Sequence, residues 1–395
     1  MNTVKTPPVD AADWRHYPLE EMERRVARFE EAVWAAQIAA APNHDLLKKA
    51  VRREQAARCP VWLRRVTPDL VIRYGDALID LYTEFPEDLG RVSPYDLMVG
   101  YKPKVKITPT EALMTNAEWI SEWGVGWKHI VGGVGATEVS NPLPDWAKLD
   151  EYLAATFPDP DEPGRLEAAA APAAALHRAG KYVFGLFGST FFHVFSIRGF
   201  ENALMDFHLE ERNMQRLIAA LQDYSLKLIR QWAKIGVDAL LFLDDWGSQG
   251  ELLMSPPTWR QFFKAGYEEV FRETHRCGMD CFLHSCGNVT EIVDDLIEIG
   301  LDVLDPIQTS AMDIAELARR FGGRISFCGS IDVQSVLPRA KPQEVKDAVR
   351  RSIDILGKPF GNGLILAPTN TITPEVPFEN LRAMFEACHE ARTAE

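Results

Sequence analysis

No stretch of this sequence is apolar for long enough to cross a bilayer, where a spanning helix needs about 20 predominantly apolar residues. The opening segment, Met1 to Glu20, lacks the apolar core of a secretory signal and is broken by Pro7, Pro8 and Pro18. A cytoplasmic protein is the expectation. Basic runs are also missing, and the formal net charge of −14 disfavours nucleic acid and anionic membranes as partners. Six cysteines in 395 residues are too few for a disulfide scaffold, so each reads as a core residue, a metal ligand or a reactive thiol. Glycines cluster between Ser121 and Asp145, but no βαβ pattern surrounds them, which excludes a dinucleotide-binding fingerprint.

What is present is an ordinary globular composition, 46% hydrophobic and 25% charged, in a length that suits one α/β barrel with additions. Helical spacing runs from Leu19 to Ala40 and from His44 to Ala57. Cys59 to Leu63 predicts a first strand, and Asp96 to Tyr101 and Val105 to Thr108 predict further ones. The glycine-rich segment carries Trp123 and Trp127, with Trp146 just beyond it. It reads as an antiparallel excursion held by aromatics, with a substrate-facing lid as the other reading. A linker rich in Pro, Asp and Ala follows over Phe157 to Ala174.

The second half alternates regularly. Apolar runs at Tyr182–Phe187, Ala239–Leu243, Asp280–Leu283, Val303–Leu304, Ile325–Phe327 and Leu364–Ala367 predict strands. Helical segments over Leu209–Ile235, Pro257–Cys277, Val289–Ile299, Ile314–Phe321 and Pro342–Leu356 lie between most of them. Six strands here and two earlier make eight. The expected fold is an α/β (β/α)8 TIM barrel over 51–395, with an N-terminal helical extension over 1–50 and a Trp/Gly-rich insertion at about 109–175.

Polar residues follow nearly every strand, as at the mouth of a barrel active site. They include Asp244, Asp245 and Gln249, then His284, Cys286 and Asn288, then Gln308, Cys328, Asp332 and Asn370. His284 and Cys286 are two apart, so on an extended chain their side chains share one side and can converge on an ion. Imidazole and thiolate are good zinc ligands. Cys328 is the best third ligand, and Asp244, Asp245 or Asp332 can supply an oxygen instead. The alternative is that both cysteines pack as small hydrophobes while His284 bonds a substrate. Asp244 and Asp245 alternate in direction, so one faces the mouth while the other caps a helix or meets a base. Asp244, Asp245 and Gln249 are the acid–base and orienting candidates. Arg198, Gln308, Asp332 and Asn370 are the substrate-binding candidates, although Arg198 can equally hold a helix in place. His193 and His208 read as ordinary residues of helical regions, His193 being close enough to a strand end to reach the mouth.

The run Leu283-His-Ser-Cys-Gly-Asn-Val289 resembles the His-x-Cys-Gly segment of the superfamily that includes uroporphyrinogen decarboxylase and the corrinoid-linked methyltransferases. Arg198-Gly-Phe-Glu-Asn-Ala203 with Asp206, Asp244-Asp-Trp-Gly-Ser-Gln249, Gly329-Ser-Ile-Asp-Val-Gln334 and Leu366-Ala-Pro-Thr-Asn-Thr371 are similar in order and spacing. The likeness runs from about Val51 onward. It implies a (β/α)8 barrel and, in the methyltransferase branch, a zinc ion held by the His and Cys of His-x-Cys and by a later Cys. In thiol-methylating members that later Cys belongs to the final strand region, which here reads Pro368-Thr-Asn-Thr371 without one. The departure leaves Cys328 or an acid to complete the site. It favours tetrahydrofolate chemistry, or another use of the site, over a thiol acceptor.

The expected activity is therefore a zinc-dependent methyltransferase. It passes a methyl group between a cobalamin, free or on a partner corrinoid protein, and a small acceptor such as tetrahydrofolate or a thiol. O-demethylation of aryl methyl ethers is one setting for it. No Asp-x-His-x-x-Gly loop marks a cobalamin domain within the chain, and the family likeness suggests a homodimer. The alternatives are a metal-dependent lyase or hydrolase, or a decarboxylase, acting on a small organic acid. A third is a non-catalytic barrel that grips a corrinoid protein. True uroporphyrinogen decarboxylation is disfavoured, because Arg64 and Arg65 lack the arginine-rich run expected around them.

Overall fold

The structure, a computed structural model, describes residues 17–64, 66–91, 107–131, 135–188 and 190–393. The chain divides into two units, one of Met1–Pro94, Leu176–Tyr182 and Asp305–Glu395 and one of Tyr95–Ala175 and Val183–Leu304.

The first unit opens with α1 (Leu19–Ala39), α2 (His44–Arg52), α3 (Pro68–Glu84) and the short β1 (Leu89–Arg91). In α1 the buried residues are Met22, Val26, Phe29, Val33 and Gln37, the three-and-four spacing of one helix face. That face packs on α3, where the Phe29 ring meets Tyr82 edge-on at 5.2 Å. Burying each such large apolar side chain stabilises the pair by about 1.5–3 kcal/mol.

Where the apolar run Cys59–Leu63 predicts a strand, the structure has only an isolated parallel bridge between Val61 and Leu366. The reason lies in the amides. Trp62 donates to the Leu366 carbonyl at 2.8 Å, but Val61 and Leu63 donate to the carboxylates of Asp88 and Glu87 at 2.8 and 3.0 Å. Side chains thus take the place of a neighbouring strand on that side. The backbone then turns left-handed at Arg64, with φ 54°.

The second unit begins with α4 (Pro109–Met114). Thr108, the last residue of the strand expected over Val105–Thr108, is instead a helix cap that accepts from the Glu111 amide at 3.1 Å, while Val105 and Lys106 lie outside the described residues. Thr-Pro-Thr-Glu is a capping sequence with proline in the first turn. The predicted strand Asp96–Tyr101 lies outside the described residues. The Trp/Gly-rich insertion forms a three-stranded antiparallel sheet, β2 (Glu118–Ile120), β3 (Gly126–Lys128) and β4 (Thr137–Ser140), with Trp119 directly opposite Trp127. Two helices follow, α5 (Leu149–Ala155) and α6 (Glu167–Arg178). The second turns part of the expected linker into helix despite Pro172 within it, because its run of alanines has the highest helix propensity.

Strands β5 (Tyr182–Gly188), β6 (Ala239–Leu243) and β7 (Asp280–His284) are parallel neighbours in that order. The helices α7 (Thr190–Arg198), α8 (Phe200–Leu209) and α9 (Glu211–Ile235) connect β5 to β6. The last of these stops at Gly236, which takes the left-handed conformation that ends helices. Helices α10 (Pro256–Trp259) and α11 (Ala265–Arg276) connect β6 to β7. Then come α12 (Val293–Glu298) and β8 (Val303–Ile307). The register aligns Gly188 with Leu243 and Leu243 with His284 at the C-terminal ends of the strands. His193 and His208 lie in α7 and α8, the helical setting expected for them.

Back in the first unit from Asp305, within β8, the chain continues through α13 (Ile314–Phe321), β9 (Ser326–Ile331), α14 (Val336–Arg339), α15 (Pro342–Ser352), β10 (Leu364–Pro368) and α16 (Phe378–Thr393). β9 and β10 are parallel, with Cys328 opposite Ile365. The strand–helix alternation read from the sequence is the observed architecture. No described helix is long and apolar enough to cross a membrane.

Candidate metal centre

Two loops of the second unit build the site: 244–249 after β6 and 285–288 after β7. Their backbones touch. A Cβ on Gly287 would lie 2.4 Å from the Gly247 carbonyl carbon, and one on Gly247 would lie 2.6 Å from the Cys286 carbonyl oxygen. Glycine is required at both positions, the more so at Gly287, where φ is 82°. Hydrogen bonds then lock the loops in register. Asp244 N–H donates to the His284 carbonyl at 2.9 Å, Trp246 N–H to Ser285 Oγ at 2.9 Å, and Asn288 N–H to the Ser248 carbonyl at 2.7 Å.

This lock brings three donors together. His284 Nε2 lies 3.4 Å from Cys286 Sγ and 4.0 Å from Asp245 Oδ1. All three ligand atoms lie within 4.8 Å of one another. Zinc bonds of about 2.0–2.3 Å at tetrahedral angles separate ligand atoms by roughly 3.3–3.7 Å, so this set needs only a slight contraction. Asp245 Oδ1 also accepts the Cys286 N–H at 2.8 Å, which fixes the carboxylate beside the thiol. The Asp245 side chain is 53% exposed and that of His284 13%, so the cluster has a solvent side. One imidazole, one thiolate and one carboxylate form a three-ligand set that suits a catalytic zinc, which keeps a fourth position for an exogenous ligand. Chemistry and spacing both fit the ion.

Asp244, the other half of the acid pair, turns away and is fully buried. Its oxygens accept the amides of Phe191 at 3.0 Å and Phe192 at 2.7 Å, in the first turn of α7, and the Tyr267 hydroxyl. It caps that helix from across the fold, where a negative charge is favoured. Burial nevertheless pushes its carboxyl up to about 7, against the opposing pull of Tyr267 and the two amides. With both oxygens engaged and no exposed surface, Asp244 has a capping geometry rather than that of an acid–base group. Tyr267 has no distinguishing signal in the sequence. Its ring packs edge-on against Trp246 at 5.0 Å.

His193 is 6% exposed and stacks on Trp123 at 4.0 Å, a pairing between the Trp/Gly-rich segment and α7. Desolvation lowers its imidazole to about 3, so it is neutral. Gln249 is exposed on the loop after β6.

Arg198 is committed to structure. It donates to Asp206 Oδ2 at 2.6 Å and to the carbonyls of Leu143 and Pro144 at 3.1 and 2.6 Å, and its guanidinium lies 5.0 Å from the Trp146 ring. Trp146 completes the group by donating to the same Asp206 oxygen at 3.0 Å.

The remaining candidates belong to the first unit. Cys328 is fully buried, and burial together with the Asp305 carboxylate raises its thiol well above the usual range. Asp305 in turn pairs with Arg64, which also donates to the Pro368 carbonyl. Asp332 accepts the Gln334 amide at 2.7 Å and the Ser335 hydroxyl, a local turn. Gln308 is buried and donates to Ser310 Oγ at 3.3 Å, while Asn370 is exposed and accepts the Thr371 amide at 2.7 Å. Arg65 lies outside the described residues.

A second group, His275, Cys281 and Asp302, sits at the opposite end of β7. Asp302 there meets His275 at 2.7 Å and the Cys281 amide at 2.8 Å, while the buried Cys281 thiol points to the Phe271 carbonyl. These are structural ties.

Residues 128–391 match the family described as uroporphyrinogen decarboxylase (URO-D). Over 198 residues the chain is 25% identical to uroporphyrinogen decarboxylase of Legionella pneumophila (strain Corby), covering 49% of this chain and 53% of that protein. It is 24% identical over 200 residues to the methylated-thiol–coenzyme M methyltransferase of Methanosarcina mazei, 49% of each chain. It is 27% identical over 155 residues to a methylcobamide:CoM methyltransferase of Methanosarcina barkeri, 39% of this chain and 42% of that one. The chain spans about half the length of the curated relatives it matches. A solved methyltransferase from Methanosarcina mazei aligns with a TM-score of 0.66 at 15% identity, covering 89% of this chain and 99% of that one, and so shares the fold. With well over half of its length matched, the chain belongs to the uroporphyrinogen decarboxylase (URO-D) family.

Proposed function

We propose that this protein is a zinc-dependent methyltransferase that passes a methyl group between a cobalamin, free or on a partner corrinoid protein, and a small acceptor. The observation that carries this reading is the convergence of Asp245 Oδ1, His284 Nε2 and Cys286 Sγ. Relatives named for methylated-thiol and methylcobamide chemistry support it. Asp245, His284 and Cys286 would hold the ion. Zinc bound there supplies Lewis acidity, which lowers the proton affinity of an exogenous ligand such as a thiol while leaving it nucleophilic. An acid as third ligand, where thiol-methylating members are expected to have a cysteine, keeps tetrahydrofolate in view as the acceptor.

The chain's own residues supply rigidity and orientation. The Gly247–Gly287 contact and the Ser285–Trp246 hydrogen bond hold the two ligand-bearing loops at fixed spacing. Asp245 holds the Cys286 amide, so the thiol and carboxylate present themselves together. Gln249, exposed on the same loop, would orient the acceptor.

Decarboxylation of a small organic acid is the second reading, favoured by relatives named uroporphyrinogen decarboxylase. Against it, Arg64 is buried and committed to Asp305 and a carbonyl. Metal dependence separates the two. The purified protein is expected to carry about one zinc per chain, lost in His284→Ala and Cys286→Ser, and to demethylate methylcobalamin with a thiol or tetrahydrofolate. A protein that takes up no zinc when it is offered would end the methyltransferase reading in this form.

A further inference from the structure

The register of β5, β6 and β7 contains a substitution of one side chain by another. Gly188, Leu243 and His284 are successive partners across the three parallel strands, so their side-chain directions lie on one face. Gly188 has no side chain, and the imidazole of His193 fills its place. His193 Nε2 lies 2.6 Å from where a Gly188 Cβ would be. Gly188 and His284 are two strands apart, about 10 Å at the usual strand spacing. One face therefore carries an imidazole, then an apolar Leu243, then the Asp245–His284–Cys286 cluster.

His193 is unusual for a buried histidine. It is 6% exposed, and among the described residues its ring contacts are aromatic, Trp123 at 4.0 Å and Phe192 at 5.6 Å, with no hydrogen-bond partner. A buried imidazole normally finds a partner, since leaving one unpaired is costly. Its place on the strand-end face that also carries His284, two strands away, supplies a reason for keeping it.

We propose that His193 is the second anchor of the site, an uncharged hydrogen-bonding group that selects a small ligand with a soft, metal-seeking end and an uncharged polar end. This rests on the metal reading of the cluster and deepens it by naming the ligand class. The soft end meets the cluster, a short aliphatic span crosses Leu243, and a hydroxyl or amide meets His193. An anionic end is disfavoured, because an imidazole held neutral among aromatic rings offers a dipole and no charge.

The test uses the full chain loaded with cobalt(II), whose visible and near-ultraviolet bands report thiolate binding without any need for turnover. Mercaptoalkanols of two to six carbons are titrated beside alkanethiols of matching length and beside 2-mercaptoethanesulfonate. The expected result is that, at an optimal length, the mercaptoalkanol binds about tenfold more tightly than its alkanethiol. The sulfonate should lack that gain. In His193→Phe the preference should vanish, with cobalt stoichiometry and alkanethiol affinity unchanged, and His193→Gln should restore part of it. Thiols that bind with no preference for the hydroxyl, or with one that survives His193→Phe, overturn this proposal and leave the metal centre standing. A protein that binds no cobalt, or whose cobalt spectrum ignores every thiol, overturns the metal reading and this one with it.

Discussion

Gly247 and Gly287 face each other so closely that a methyl group on either would fall within 2.4–2.6 Å of the other loop's backbone. The loops that carry Asp245, His284 and Cys286 are thereby held at one spacing by sterics as well as by hydrogen bonds. Gly287→Ala adds a left-handed backbone penalty to the overlap, and is expected to cost roughly 2–4 kcal/mol of stability. Because the loops must part, metal affinity should fall with it. Urea unfolding and zinc titration of the variant check both effects. A variant with wild-type stability and affinity would show that the two backbones are not in contact.

The third ligand can be tested by exchange. Asp245→Asn keeps an oxygen to accept the Cys286 amide but removes the charge that a metal ion needs. Zinc affinity is expected to drop by more than roughly tenfold, since even outer-shell changes cost that much, while the unfolding midpoint stays put. Cys328→Ala should leave zinc stoichiometry untouched, since that thiol is buried against Asp305 and resists deprotonation. Zinc lost from Cys328→Ala and kept in Asp245→Asn would reverse the assignment.

His284, Cys286 and Asp245 are legible in the sequence because their signal is local. Two ligands sit two residues apart at the end of an apolar run, and an acid pair ends the preceding one. The choice between Asp244 and Asp245 is only half legible. Alternation says that they diverge, but only the fold reveals that α7 brings its first amides to Asp244. His193 is harder still, because its placement depends on a glycine five residues earlier and a tryptophan from the insertion. The strand predicted at Cys59–Leu63 fails for the same kind of reason, since the carboxylates of Glu87 and Asp88 take the amides that a neighbouring strand would have used. Helix α6 is hard to read from sequence, because Pro172 argues against a helix that the alanines around it favour.

Asp244 gives a pH signature. Its carboxyl is raised to about 7 in the folded protein, against an unfolded value of about 3.9. Between those values the native state keeps a proton that the unfolded chain has released. The group's contribution to stability is therefore full below about pH 4, declines by at most about 1.4 kcal/mol per pH unit, and is gone above about pH 7. Asp244→Asn cannot titrate, so the stability of the wild type relative to this variant should fall across that window and then level off. Tyr267→Phe removes a donor that favours the charged form, which carries the upper end of the window to higher pH and leaves its lower end in place. Urea midpoints at a series of pH values measure all three proteins. A wild-type-to-variant difference that is flat with pH would rule out a raised carboxyl at this position.

Arg198 and Asp206 settle between a substrate-binding arginine and a structural one. The guanidinium is buried, and it satisfies a buried carboxylate and two carbonyls of the segment that leads into α5. Arg198→Ala leaves Asp206 with the Trp146 N–H as its remaining side-chain donor and should cost about 3–5 kcal/mol, the usual penalty for stranding a buried charge. In the double variant Arg198→Ala with Asp206→Ala the stranded charge is gone, so the combined loss should be smaller than the sum of the two single losses by about 1–3 kcal/mol. Zinc content should match the wild type in all three proteins, because none of these groups touches the cluster's ligands. Thermal and urea unfolding of the cycle give the coupling directly. An Arg198→Ala protein that unfolds like the wild type would return this arginine to the list of groups available to a substrate carboxylate.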